Sequence, residues 1–394
     1  MNEIIIRDDI ELGKWQGLGG AITEATAYNF AKLDSEKQKK LLDLYYGKNG
    51  LDYRWGRISI GSNDFCLAPY EYCKRTNLKD FSIEHDKKYV LPLLNQILKK
   101  KDLELMASPW SPPKCFKIGK HLKPWCYKKY ANYIKKWLDA YADEGVNIKY
   151  ITPQNEPFAN QIWESCLYSY RAQRKLAYKY LANIDNAQIL MWDHNKKYLS
   201  RVADELIRDN KKVAGLCFHW YDGTFADEMW KVKQKYPDVL LISSEMSCGF
   251  SPLDKEAWQK DANYYLKELF LDINNGARAF IDWNMLLDFN GGPTYCNNNL
   301  KAPIILNEKG DDFIVTPIYD VLKKFAEVFP VGSEVVRCEY NSKDFVAIAR
   351  KEKDGHKIVI ANLSGKPQEI TIVTKNKEHR IICDENRTVS VVLI

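Results

Sequence analysis

Val239-Leu240-Leu241-Ile242-Ser243-Ser244-Glu245 is the stretch on which the fold turns. Four apolar residues in succession do not suit a strand with one wet face, which would alternate; they suit a strand of a parallel sheet covered on both sides. The chain then turns, and Lys255 to Ile273 has helical periodicity. Working outward, the same strand-then-helix unit recurs. Short β-type runs occur at Gly19 to Thr23, Trp55 to Ile60, Leu103 to Ser108, Ile148 to Thr152, Gln188 to Trp192, Val213 to His219, Val239 to Ser243 and Ala277 to Asp282. Helical segments are predicted at Ser35 to Tyr46, Lys87 to Lys100, Lys128 to Ala142, Arg171 to Ala182, Lys197 to Arg208, Ala226 to Tyr236, Lys255 to Ile273 and Pro317 to Val328. In the segment from Lys128, the residues Tyr130, Ile134, Trp137, Leu138 and Tyr141 step by three and four and share one face. Eight strands alternating with eight helices predict an α/β fold of the closed (β/α)₈ TIM-barrel type, whose site lies at the carboxyl ends of the strands.

Beyond about Pro330 the texture changes to short strand-like runs with turns between them, including Asp354-Gly355, a strong hairpin cue. These predict a small all-β, sandwich-like side domain over residues 330–394. The barrel is assigned to residues 13–329. Residues 1–12 carry the run Glu3 to Arg7, which is expected to join the side domain, since a lone strand is unstable.

Composition narrows the class. The 394 residues are 45% hydrophobic and 13% aromatic, which excludes a disordered chain. Lys and Arg exceed Asp and Glu by 58 to 52 without a basic block, so nucleic acid is not an expected partner. No stretch approaches a membrane span. The acid-laced start and ten cysteines without a Cys-x-x-Cys pair point to a cytoplasmic protein with reduced thiols. The sequence carries no signal for an oligomeric state.

Two glutamates sit where a barrel keeps its chemistry. Glu156 closes Ile151-Thr152-Pro153-Gln154-Asn155-Glu156 after the fourth strand, and Glu245 follows the seventh. A carboxyl pair across one cleft is what glycosidic cleavage requires, one protonating the departing oxygen and the other attacking or stabilising the sugar cation. The six histidines form no paired metal-binding motif, Gly17-Leu18-Gly19-Gly20 lacks the third glycine of a dinucleotide loop, and neither a metal nor a cofactor is required.

Seven motifs in order resemble glycoside hydrolase family 30, which includes glucosylceramidase-like enzymes. They are Gly17-Leu-Gly-Gly-Ala-Ile-Thr-Glu24, Gly56-Arg-Ile-Ser-Ile-Gly-Ser-Asn-Asp-Phe65, Ala107-Ser-Pro-Trp-Ser-Pro-Pro113, Gln154-Asn-Glu-Pro157, Phe218-His-Trp-Tyr221, Ser244-Glu-Met-Ser247, and Asp282-Trp-Asn284 followed by Gly291-Gly-Pro293. The resemblance implies a retaining β-glycosidase with Glu156 as general acid/base and Glu245 as nucleophile. It implies that Tyr221 donates to the nucleophile and that Asn155 holds the sugar 2-hydroxyl. Arg57 and Asp64 resemble a charged pair, Asp64 accepting from sugar hydroxyls and Arg57 orienting the nucleophile region. Trp110 and Trp283 would lie against the sugar ring; His219, Trp220 and Asn298 are weaker candidates for substrate contact. Asp193 and His194, at the end of strand five, either touch substrate or cap the next helix. The acid is expected to be kept protonated by burial or a neighbouring carboxylate. The expected partner is a carbohydrate, with a β-glucoside as first choice and a β-xyloside, β-fucoside, β-galactoside or β-1,6-glucan as alternatives. A non-catalytic sugar-binding barrel is the competing reading from another class.

Overall fold

The computed structural model describes residues 2–208, 211–375 and 377–384, and the backbone of 388–391. Eight parallel strands close a barrel: Gly17–Ala21, Trp55–Ser59, Glu104–Ser108, Tyr150–Ile151, Gln188–Asn195, Val213–His219, Leu240–Glu245 and Ala279–Asp282, the sixth pairing with the seventh and the eighth with the first. The first strand reads Gly-Leu-Gly-Gly-Ala for a steric reason. A Cβ on Gly19 would come within 2.5 Å of the Trp55 backbone oxygen, so only glycine lets these two strands approach.

Strand alternation fills the barrel in layers. Trp55, Met106, Tyr150, Leu190, Cys217, Ile242 and Ile281 form an apolar cluster apart from the main core, with Trp55 and Tyr150 stacked at 5.4 Å. Two residues further along the same strands, and so on the same inward side, come Arg57, Ser108, Thr152, His219, Ser244 and Trp283. The polar floor of the site is therefore the next storey of the barrel interior. Outward-facing residues such as Leu105, Ala107, Leu216, Phe218 and Leu241 join the core under the helices.

The predicted helices Ser35–Tyr46 and Pro317–Val328 occur with those bounds, and Lys255–Asn274 runs one residue further than predicted. Helix Glu24–Lys32, the hairpin Lys117–Ile118 with His121–Leu122, and a small sheet of Leu286–Leu287, Ile304–Leu306 and Phe313–Val315 were not foreseen.

Seven strands form the side sheet, and the first in sequence, Asn2–Lys14, lies third across it, antiparallel to Glu334–Glu339 and parallel to Gln368–Val373. Alternation decides what each face covers. Phe345, Ala347 and Ala349 join Ile4, Ile6, Ile358 and Ile370 in the sheet's own core, while Val346 and Ile348 belong to the core shared with the barrel. The run predicted over Thr388 to Leu393 pairs through Thr388–Val391 with Gly355–Asn362; its last two residues lie outside those described.

Candidate active site

Arg57 is the hub. Its side chain is fully buried, Nη1 donates to Glu245 Oε2, and Nη2 donates to Asn155 Oδ1 at 2.8 Å and to Asp193 Oδ2 at 3.0 Å. A buried guanidinium requires such carboxylate partners, since unpaired it would carry a desolvation cost of several kcal/mol. Arg57, expected to orient the nucleophile region, is bonded to Glu245, and among the described residues its ion pairs are with Glu245 and Asp193 and not with Asp64. Its indole neighbours lie flat beneath the charge: Trp110 and Trp283 stack at 5.1 Å, with the guanidinium carbon 4.8 and 5.6 Å from their centroids. Both indoles are 2% exposed, so they form the floor of the cleft, and little of the ring faces expected to lie against the sugar is open.

Glu245 ends the seventh strand. One carboxylate oxygen accepts from Arg57 and the other from the Tyr221 hydroxyl at 3.0 Å. Tyr221 is held in turn by its backbone N–H, which donates to Asn195 Oδ1 at 3.1 Å. Next in sequence, Lys196 is buried and donates to Glu268 and Asp272 on helix Lys255–Asn274 at 2.6 and 2.7 Å. That ion triad ties the end of strand five to the outer helix. Lys196→Met should lower stability by about 3–5 kcal/mol, because two carboxylates are left buried without their cation; urea unfolding of the variant measures this, and a loss under about 1 kcal/mol would show the triad to be dispensable.

Glu156 follows the fourth strand with φ 47°, a left-handed conformation that non-glycine residues adopt at some cost. Asp193, at φ 54°, shares that feature, and its backbone carbonyl accepts from the Glu156 N–H at 2.8 Å. Between the two glutamates lies His219, with Nδ1 3.3 Å from Glu156 Oε1, and Nε2 3.1 Å from Asp193 Oδ1 and 3.9 Å from Glu245 Oε2. Glu156, His219 and Glu245 each offer an atom within 4.8 Å of the others'.

The electrostatics follow from this crowding. Burial pushes the His219 ring down, but Glu245, Asp193 and Glu156 outweigh it and raise it to about 9. Burial likewise pushes Glu156 up, yet His194 and His219 outweigh burial and hold its carboxyl well below the usual range. The expectation that burial or a neighbouring carboxylate keeps Glu156 protonated runs against this balance: the two rings favour its ionised form, and the carboxylates favour the charged form of His219. Burial pushes Asp64 up to about 7, against a hydrogen bond from Asn298 Nδ2 at 2.8 Å and with the charges of Glu245 and Glu156 adding to it.

The structure thus brings Arg57, Asn155, Glu156, His219, Tyr221 and Glu245 together, with Asp64 and Asn298 paired beside them and Trp110 and Trp283 below. Trp220 is not part of the cluster: its ring packs 4.6 Å from Tyr265, away from the carboxylates. Asp193, a candidate for substrate contact or a helix cap, has its bonds inside the site. Fully buried, it accepts from Arg57, Thr152 and Ser244 and meets His219, so it anchors the hub and the histidine at once.

Comparison with known proteins fits this geometry. The profile of the glycosyl hydrolase family 30 TIM-barrel domain matches residues 15–329. The chain is 28% identical to lysosomal acid glucosylceramidase of Mus musculus over 94% of its own length and 79% of the relative's. Among solved structures it resembles SrfJ from Salmonella typhimurium, with a TM-score of 0.89 at 27% identity, covering 98% of this chain and 91% of that one. It also resembles the endo-beta1,6-glucanase BT3312, with a TM-score of 0.83 at 25% identity, covering 97% and 91%. The barrel, the carboxyl pair at its strand ends and the profile agree: the chain belongs to glycosyl hydrolase family 30.

Proposed function

We propose that the protein hydrolyses β-glycosides with retention of anomeric configuration, Glu245 acting as nucleophile and Glu156 as general acid and then general base. The observation that carries this is the spacing of the two carboxyl groups, which have oxygens within 4.8 Å of each other. Retaining enzymes hold theirs about 5–5.5 Å apart, whereas inverting ones need roughly 6.5–9.5 Å to admit a water. In the first step Glu245 attacks the anomeric carbon as the proton of the Glu156–His219 pair passes to the leaving oxygen. In the second, Glu156 takes a proton from water, which displaces Glu245. Arg57 and Tyr221 hold the attacking carboxylate in line, and Asn155, fixed by Arg57, is placed to meet the sugar 2-hydroxyl.

A β-glucoside is the first substrate to try, because the relatives named as a glucosylceramidase and an endo-1,6-glucanase share a glucosyl unit. The cytoplasm is the compartment proposed, on the sequence pattern of ten cysteines without a Cys-x-x-Cys pair. Proton NMR of a reacting β-glucoside tests the mechanism. The β-anomer should form first and mutarotate later; α-anomer appearing first means inversion. No turnover on any aryl β-glycoside leaves the sugar-binding reading in its place.

A further inference from the structure

Beside the carboxylate site runs a groove of about 830 Å³ built by the loops after the second, third and fourth strands. It begins where the wall of the site ends: Ser62 lies two residues before Asp64, Ser111 follows Trp110, and Tyr295 lies three before Asn298. Its charge is unusual for a sugar-binding surface. Lys74, Lys114, Lys117 and Lys120 line it against two carboxylates, Glu71 and Glu164, and no arginine contributes.

Those carboxylates are otherwise engaged. Glu71 accepts from the Lys114 backbone N–H at 2.6 Å, and Glu164 accepts from the Tyr295 hydroxyl. Lys117 and Lys120 are both partly buried, yet their ammonium groups meet only neutral oxygens. Lys117 donates to Ser111 Oγ, and Lys120 to the Gln161 carbonyl at 2.8 Å and to Ser165 Oγ at 3.0 Å. Among the described residues none of the four lysines forms an ion pair. Burial pushes the Lys117 ammonium down and the nearby Lys120 charge adds to that, while Cys166, Glu71 and Glu164 oppose it without reversing it. Four lysines against two carboxylates leave the groove with an excess of positive charge, and two partly buried ammonium groups without an ion-pair partner are costly, a cost that the neutral form or a bound anion relieves. Trp163 and Tyr70 add apolar ring surface to the same groove, as a saccharide would use.

We propose that this groove binds an oxyanion carried by the substrate, a uronate carboxylate or a phosphate ester, one unit beyond the sugar held at Glu156 and Glu245. The substrate class is then an acidic β-linked saccharide. This rests on the glycosidase reading above and extends it.

The test pairs kinetics with binding. A neutral β-linked disaccharide is compared with analogues carrying a uronate or a phosphate at either end, which separates the two sources of charge and the two sides of the scissile bond. At low ionic strength an acidic analogue should have kcat/KM about tenfold higher, the advantage shrinking as salt screens it. The ratio should collapse toward one in K117M/K120M and return in K117R/K120R, which keeps the charge if not the geometry. Calorimetric titration of the unsubstituted protein with inorganic phosphate and with glucuronate reads the same site without turnover. Neutral substrates hydrolysed with no acidic preference, or a preference untouched in K117M/K120M, would overturn the anion site. Lysine-dependent binding of phosphate or glucuronate with no turnover of any β-glycoside would instead sustain the anion site and overturn the glycosidase.

Discussion

Glu245→Gln should abolish hydrolysis of β-glycosides, lowering kcat by at least about 10⁴-fold while leaving the protein folded. Glutamine has the shape of glutamate and can still meet Tyr221, whose hydroxyl now lies 3.0 Å from Oε1, but its amide is a poor nucleophile and cannot balance the Arg57 charge as a carboxylate does. Thermal unfolding separates lost chemistry from lost structure. Glu245→Ala carries the sharper prediction. Removing the side chain opens room beside Tyr221 and Arg57 on the side from which the sugar carbon is attacked. A small external anion such as azide, supplied with an aryl β-glycoside, should occupy that room and yield an α-glycosyl azide. Activity kept above about one tenth in Glu245→Ala, or a β-configured azide adduct, would place the nucleophile elsewhere.

Glu245 was legible from its place in the chain, where an apolar run ends in serine, serine and glutamate at the carboxyl end of a strand, although period alone would turn it outward: the register shifts between Ser243 and Glu245 as well. Asp193 was not, for a reason that lies in the backbone. Counting by twos from inward-facing Leu190 sends Trp192 into the barrel and Asp193 out of it. The register shifts between Trp192 and His194, with φ of 82° at Trp192 and 54° at Asp193, and this bulge turns the carboxylate into the barrel. Period alone cannot foresee a bulge. The same limit shortened the N-terminal strand, predicted over Glu3 to Arg7 and found over Asn2–Lys14. Its register shifts between Arg7 and Glu11 and again before Gly13 carry the acidic stretch along the sheet without clean alternation.

Helices were read well where a cap and a face agreed. Ser35–Tyr46 has Asp34 accepting from the Lys37 N–H at 2.9 Å and buries Leu41, Leu42, Tyr45 and Tyr46 together. Glu24–Lys32 buries Glu24, Ala25, Thr26, Ala27 and Asn29 nearly all round, so no polar face marked it as a helix. His219 shows the limit for chemistry. A histidine at the end of the sixth strand reads as a weak sugar contact, and only the fold puts it between Asp193, Glu156 and Glu245.

That position sets the expected behaviour of Glu156→Ala. For an alkyl glycoside or a disaccharide, whose leaving oxygen needs a proton, kcat/KM should fall about 10²–10⁴-fold, the usual contribution of a general acid. For a dinitrophenyl glycoside, whose leaving group departs unaided, the first step should be nearly unaffected. Glycosyl-enzyme should then accumulate, because the base for the second step is missing, and a burst of phenolate should precede slow turnover. The pH profile tests where the proton resides. Glu156 is held low and His219 is raised to about 9, so the pair keeps its proton until pH climbs through that value. Because kcat/KM reports the free enzyme, the rate on an unactivated substrate should stay high through neutral pH and fall above about 9, while the dinitrophenyl substrate lacks that limb. His219→Asn should move the limb to lower pH, since Glu156 then keeps the proton only by burial. Equal losses on both substrates in Glu156→Ala would remove Glu156 from the acid's role; a limb unmoved in His219→Asn would take the proton away from the histidine and return it to the carboxyl alone.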